Sequence, residues 1–307
     1  MSKHVAVLMG GWSSERQVSL NSGRACAEAL EGEGFRVTLV DVGPDIATVL
    51  TDLRPDVALN ALHGPAGEDG TIQGLLEILR IPYTHSGVLA SALAMHKERA
   101  KTIMKAAGVS VPEGLVVNRH DAAKAHPLTP PYVVKPIAEG SSMGVIIVRD
   151  GRSHPPQILA SDEWVYGEQV LAETYIAGRE LTCAVMGDRA LGVIEIKPAS
   201  GEWYDFDAKY AEGGSIHVLP AEIKLNVYQR VQELSLTAHQ ALGCRGISRA
   251  DLRYDDTPGG TGALVVLEVN TQPGMTKTSL VPEIAAHAGL SFGELVRWMV
   301  EDATLGR

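Results

Sequence analysis

Apolar and polar positions along the first hundred residues alternate in a rhythm that predicts strand, helix, strand, helix. Residues 4–9 read as a strand, and 18–31 as a helix closed near Gly32 and Gly34. Residues 36–42 and 56–62 are short β-rich runs with a helical segment, 46–53, between them. A helix over 71–80 and a strand over 81–84 continue the series, and 87–107 carries one long helical pattern ending at Gly108. This βαβ rhythm predicts an open parallel sheet. Ligands bind such sheets beyond the carboxyl ends of the strands. The polar loops 10–15 and 63–70 both follow strands and fall on that edge.

Beyond residue 109 the pattern changes to strands and turns with one weak helix. Runs 132–137 and 145–148 flank a polar tip, Glu139-Gly-Ser-Ser-Met-Gly144, and predict a hairpin. Runs 180–186 and 190–196 flank Gly187-Asp188 and predict another. The aromatic-rich connection 198–215 is long for a compact domain, and such loops are usually functional, often lids. An amphipathic helix over 225–242 precedes two apolar strands, and the tail 281–304 is helical with a break at Gly289. The fold class predicted is α/β, α+β in parts, with a parallel-sheet domain first.

Composition narrows the class of partner. The chain's 307 residues suffice for two or three domains, and 45% hydrophobic with 21% charged residues is ordinary for a globular protein. The net charge is 27 − 37 = −10 with no Lys/Arg cluster, which argues against nucleic acid or anionic membrane as the main partner. It leaves ATP open, because a phosphate site needs only a few local cations and backbone amides. Cys26, Cys183 and Cys244 are far apart in apolar context and lack zinc spacing, so reduced core thiols are expected. The first apolar run is too short for a signal peptide and no stretch could span a bilayer, which makes the cytoplasm the expected location. Neither G-x-x-x-x-G-K-[ST] nor a G-x-G-x-x-G after the first strand is present.

The chemistry concentrates in the two late strands. Alternate residues share a face, so Arg249 projects with Asp251, and Glu268 with Asn270. Paired, the strands would bring three oxygen donors and a guanidinium together, a set suited to Mg²⁺ and to developing negative charge. An Arg249–Glu268 ion pair at a sheet end explains the strands alone equally well. Lys135 followed by the 139–144 tip can cradle phosphate through successive amides, or be a plain surface hairpin. In His63-Gly-Pro-Ala-Gly67-Glu68-Asp69-Gly70, Asp69 or Glu68 is expected to cap the helix at Thr71, and His63 is the site candidate. Glu15 suits a helix first turn or an ammonium group. Ser279-Leu280-Val281-Pro282 is a helix start, able to cap itself or to receive a carboxylate.

Two longer signatures join these pieces. One is His63-Gly-x-x-Gly67-Glu68-Asp69-Gly70-x-x-Gln73-Gly74. The other is Leu242-Gly243-x-x-Gly246-x-x-Arg249-x-Asp251 followed by Glu268-x-Asn270-x-x-Pro273-Gly274-Met275. Over essentially its whole length the chain resembles the D-alanine–D-alanine ligases of the ATP-grasp superfamily. The resemblance implies a substrate domain at 1–96, a central ATP-grasp unit at 97–178 and a C-terminal one at 179–307 with a lid over 198–216. It implies that Lys97, Lys135 and Lys209 contact ATP, that Glu173, Thr174 and Ile176 hold adenine, and that Glu180 holds the ribose. Asp251, Glu268 and Asn270 would bind two Mg²⁺ (or Mn²⁺) ions. Glu15 would meet the ammonium of the first D-alanine, with Ser141 and Tyr210 completing a triad at the lid and His63 beside it. Ser279 and Leu280 would receive the second D-alanine's carboxylate, while Arg249 and amides around Gly274 would stabilise the oxyanion. The family often has Lys where this chain has Thr174. Tyr210 favours an amine as second substrate, and a homodimer is implied.

Overall fold

Strand β1 (His4–Met9) is buried along its whole length, as a parallel strand covered on both faces must be. Strands β2 (Arg36–Asp41) and β3 (Val57–Asn60) pair with it in parallel on either side, in the order β2-β1-β3. Helices α1 (Arg16–Gly32), α2 (Ile46–Leu53) and α3 (Thr71–Leu79) alternate with the strands as the apolar rhythm predicted. The computed structural model describes residues 2–198, 214–276 and 278–307. One face of the sheet closes over Leu8, Leu50, Leu76 and Tyr83. On the other, Val5, Val7 and Leu30 share a core with Ile194, Val281, Leu295 and Met299 from the C-terminal third.

Two sequence expectations are corrected here. Residues 81–84 form no strand; Tyr83 makes only isolated bridges, to Ala58 and Thr304. Pro82 lacks the N–H a ladder needs, and His85 turns the chain with a φ of 66°. The helical pattern 87–107 is two helices, α4 (Val88–Met95) and α5 (Lys97–Ala106). Between them His96 is extended, its ring accepts from the Arg99 N–H at 3.4 Å, and the Lys97 N–H goes to Ile137 O at 2.9 Å. The restart puts Lys97 in a first turn.

The middle of the chain forms a four-stranded antiparallel sheet, β4-β7-β5-β6. Its strands are β4 (Gly114–Asn118), β5 (Tyr132–Pro136), β6 (Ile146–Val148) and β7 (Gln169–Thr174), with α6 (Arg119–Lys124) after β4. The β5–β6 pair is the hairpin read from the sequence. A five-stranded antiparallel sheet follows, in the order β10-β9-β8-β11-β12. It comprises β8 (Arg179–Met186), β9 (Arg189–Pro198), β10 (Ser215–Val218), β11 (Ile247–Tyr254) and β12 (Leu264–Asn270). Helix α7 (Leu225–Ala241) buries Val231, Leu234 and Ala238 against Leu181, Val193 and Leu252 of this sheet. Helices α8 (Leu280–His287) and α9 (Phe292–Asp302) cover its other side, broken as expected at Gly289, whose φ is 88°. Residues 199–213, most of the long connection, lie outside the described residues. Among the described residues no helix is long and apolar enough to cross a membrane.

Candidate active site

Between the two antiparallel sheets lies a cleft of about 750 Å³, open to solvent. It gathers eight of the residues singled out from the sequence: Lys97, Lys135, Glu173, Thr174, Ile176, Glu180, Asp251 and Glu268. Strand alternation explains the gathering. Lys135 is paired in register with Leu171, and the neighbouring strand brings Glu173 beside it on the same face. Opposite them, β8 and β12 flank β11, placing Thr182 and Glu268 on either side of Asp251.

The floor of the cleft is a buried ion triad. Glu173 is 2% exposed; one oxygen bonds the Lys101 ammonium and the other lies 2.6 Å from Lys135 Nζ. Burial alone would raise the Glu173 carboxyl, but Lys135 and Lys101 more than offset it and hold it below the usual carboxylate range. At the mouth, Lys97 Nζ lies 2.9 Å from Glu268 Oε2 and donates to Glu139 O at 2.8 Å. Burial lowers the Lys97 ammonium, yet Glu268 overrides it and keeps it above its ordinary value.

The two late strands do pair, with Arg249 opposite Asn270 and Asp251 opposite Glu268. The alternative ion pair, Arg249–Glu268, does not form. Arg249 instead grips Asp251 with Nε at 2.8 Å and Nη2 at 2.7 Å, because both project from one face of one strand. Glu268, across from Asp251, is drawn to Lys97. Asp251 also accepts from Thr182 Oγ1 at 2.6 Å and Asn270 Nδ2 at 3.0 Å. Among the described residues no group of three or more His, Cys, Asp or Glu side chains could hold a metal alone. Two carboxylates and an amide are the partial oxygen set that fits Mg²⁺, which fills its shell with water and substrate phosphates.

Across the cleft mouth the N-terminal loops meet the hairpin tip. Glu15 occupies the N-cap position of α1 but does not cap it; the Ser141 hydroxyl donates to its carboxylate across 126 residues of sequence. Gly64 and Gly140 crowd the same carboxylate, since a Cβ on either would sit 3.1 Å from Glu15 Oε2. Ser141 and Ser142 take left-handed φ values of 50° and 58°, turning the tip tightly. His63 is buried, its Nδ1 3.4 Å from Glu68 Oε1 and its Nε2 3.4 Å from Ser22 Oγ. Neither capping candidate holds the N-cap position of α3, which is Gly70; Asp69, one residue earlier, accepts from the Thr71 N–H at 3.0 Å, while Glu68 accepts from the Gly64 N–H at 2.9 Å. Ser279 does not cap α8. Its hydroxyl accepts from the Thr276 N–H at 3.0 Å and would meet a Cβ on Gly274 at 3.0 Å. Leu280 puts its side chain into the core, leaving its backbone for any ligand. Lys209 and Tyr210 lie outside the described residues.

Three groups escaped the sequence reading. Lys101 is one unremarked position within the helical pattern 87–107. Arg253, 5% exposed, binds Ile176 O at 3.1 Å, Gly178 O at 2.9 Å and Glu180 Oε2 at 3.3 Å, fixing the bend between β7 and β8. Gln272 exchanges amide bonds with Asn60 at the end of β3: it donates to Asn60 O, and Asn60 Nδ2 donates to Gln272 Oε1 at 3.1 Å. The 63–70 loop and the Pro273-Gly274 turn are thereby tied together. A pairing 212 residues apart leaves no local signal.

A parallel α/β unit followed by two antiparallel sheets around a lysine- and carboxylate-lined cleft defines an ATP-grasp ligase fold. The family model described as the D-ala D-ala ligase C-terminus matches residues 103–301, and that of the N-terminus matches 45–86. The chain is 91% identical to D-alanine--D-alanine ligase of Methylorubrum populi and 66% identical to that of Rhizobium meliloti, covering 100% and 98% of those proteins and 100% and 99% of itself. The crystal structure of Bacillus anthracis D-alanine--D-alanine ligase complexed with ATP superposes with a TM-score of 0.82 at 31% identity, over 98% of this chain and 97% of that one. The chain belongs to the D-alanine–D-alanine ligase family.

Proposed function

We propose that this protein joins two D-alanines into D-alanyl-D-alanine with ATP, releasing ADP and phosphate, as a cytoplasmic step in building peptidoglycan precursors. The observation that carries the reading is the convergence on one cleft of Lys97, Lys135 and the Asp251–Glu268 oxygens, with Glu15 bonded to Ser141 in the hairpin tip whose Ser142 lines that cleft. Nucleotide, acid and amine sites then adjoin, as an acyl-phosphate route requires. The division into units 1–96, 97–178 and 179–307 belongs to the same proposal, as does a homodimer.

ATP would lie in the cleft with its phosphates at Lys97, Lys135 and Lys209. Its base would sit against Glu173, Thr174 and Ile176, and its ribose against Glu180. Glu15 would take the first substrate's ammonium, oriented by Ser141 and Tyr210, with His63 close to the carboxylate. That carboxylate oxygen forms a bond to the γ-phosphorus as the bond to ADP breaks. The second D-alanine, held through its carboxylate by Ser279 and the Leu280 amide, attacks the acyl carbon with its neutral amine. Arg249 and the Gly274 amide stabilise the oxyanion until the C–O bond to phosphate breaks, and the leaving phosphate carries off the proton that the amine nitrogen gives up. Asp251, Glu268 and Asn270 would hold two Mg²⁺ or Mn²⁺ ions, which neutralise charge on the transferring phosphoryl group.

The test is phosphate release from ATP with D-alanine, L-alanine, D-serine or D-lactate, at neutral pH with Mg²⁺. Release with D-alanine alone, matched by dipeptide, is expected; none with D-alanine would sink the reading.

A further inference from the structure

Glu173 faces the cleft with both oxygens already taken by ammonium groups, and the two cations differ in position. Lys135 lines the cleft and is within reach of a ligand. Lys101 does not line it; it stands behind Glu173 on α5, between the buried Ala100 and Met104. Each lysine holds a separate oxygen, Lys101 at Oε1 and Lys135 at Oε2. A polyphosphate entering the cleft competes with Glu173 for Lys135, because a phosphate chain carries more charge than one carboxylate. It offers nothing to Lys101.

We propose that Lys101 is a positioning residue for the nucleotide: it is the fixed counter-ion that keeps Glu173 ionised when phosphate draws Lys135 away. This rests on the reading that ATP occupies the cleft. A carboxylate this buried cannot stay charged alone, so without Lys101 the same movement of Lys135 forces Glu173 to take up a proton. Protonation changes what Glu173 can recognise. The carboxylate only accepts hydrogen bonds, whereas the acid can also donate one. An ionised Glu173 therefore selects a purine with an exocyclic amine over one with a carbonyl in the same place. Lys101 thus sets base specificity through a residue it holds and without touching the ligand.

The experiment is calorimetric titration of Mg·ATP and Mg·ITP into the full-length protein at pH 7, in buffers of different ionisation enthalpy, which reads proton uptake along with affinity. For Lys101→Met, ATP affinity falls roughly tenfold or more, preference for ATP over ITP narrows, and protons are taken up in excess of wild type. The KM values for D-alanine stay unchanged. Adding Glu173→Gln to Lys101→Met removes the excess uptake, and Lys101→Arg behaves as wild type. Lys135→Met keeps the rear counter-ion, so it binds ATP more weakly with no excess uptake; uptake there overturns the proposal even where Lys101→Met does not fold. Wild-type proton uptake and ATP affinity in a folded Lys101→Met also overturn it. Wild-type protein that binds no ATP overturns the reading of the cleft itself, and the proposal with it.

Discussion

Helix α5 carries lysines at 97, 101 and 105, four residues apart and therefore along one flank. Each meets a glutamate: Glu268, Glu173 and Glu113. Contact geometry barely separates the outer two, at 2.9 Å and 2.7 Å. Solvent separates all three. The side chains of Lys105 and Glu113 are 62% and 77% exposed, those of Lys97 and Glu268 10% and 26%, and those of Lys101 and Glu173 9% and 3%. The inner pair has no water to replace a lost partner, and the outer pair has little else. The pair at the cleft mouth lies between through its carboxylate alone, since Lys97 is as buried as Lys101.

Glu173→Ala is expected to separate the ends of this series most widely. It leaves Lys101 and Lys135 as buried ammonium groups without a counter-ion, a change that costs about 3–5 kcal/mol. Glu268→Ala takes the counter-ion from Lys97, which is itself only 10% exposed but keeps Glu139 O, so the cost in stability is smaller, about 1–3 kcal/mol, and its loss appears also in turnover. Urea unfolding of both variants checks the contrast, and equal midpoints would break it. Next in size is Arg249→Ala, expected to lower kcat by about 10²–10³-fold, near 3 kcal/mol of transition-state stabilisation, with ATP affinity retained. Because Arg249 grips Asp251 bidentately, a parallel loss of ATP affinity would mean that the pair is structural.

What could be read from the sequence follows the same division between local and distant contacts. The parallel sheet was legible because β1 and β3 are apolar apart from His4 and Asn60 at their ends, and helices alternate with them. That Arg249 shares a face with Asp251, and Glu268 with Asn270, was legible from period two; the register that sets Arg249 opposite Asn270 and Asp251 opposite Glu268 was not. Which charges then pair was not, since a strand pattern gives faces and not side-chain reach; Arg249 turned to its own strand. Glu15 meeting Ser141 could be anticipated only through the family resemblance. Lys101 had no signal of either kind. Burial of a lysine depends on what packs over it, and the glutamate that does so is 72 residues away.

His85 extends the comparison to a buried group with no strong counter-charge. It is 2% exposed between the N-terminal unit and Ile247, whose carbonyl lies 3.3 Å from its Nδ1. Burial pushes its pKa down to about 4, the Ile247 carbonyl and Asp302 opposing, Arg307 and His63 assisting. Glu173 keeps its charge in a dry site because two ammonium groups face it; His85 gives its charge up. The folded pKa lies below the unfolded value of 6.5, so the unfolded chain binds more protons between pH 6.5 and 4. The contribution is complete above pH 6.5 and is lost as pH falls, by about 2 kcal/mol at pH 5. Asn tolerates the left-handed backbone at this position, so His85→Asn should lose correspondingly less stability between pH 7.5 and 5. An unchanged pH slope would show that His85 is not held neutral.

The smallest effect belongs to the outer end of α5, and it is the sharpest control on the series. Lys105 donates to Glu113 at 2.7 Å, and the Lys105 ammonium holds the Glu113 carboxyl below its ordinary value. By distance this pair equals the buried ones. Both ends are hydrated in the unfolded chain and remain so in the fold, and fixing two long side chains costs entropy that a screened attraction scarcely offsets. Lys105→Ala should therefore leave the urea midpoint where it is, at low and high salt alike. A loss comparable to that of Glu173→Ala would mean that contact distance governs these three pairs, and the distinction between the floor of the cleft and its surroundings would fall with it.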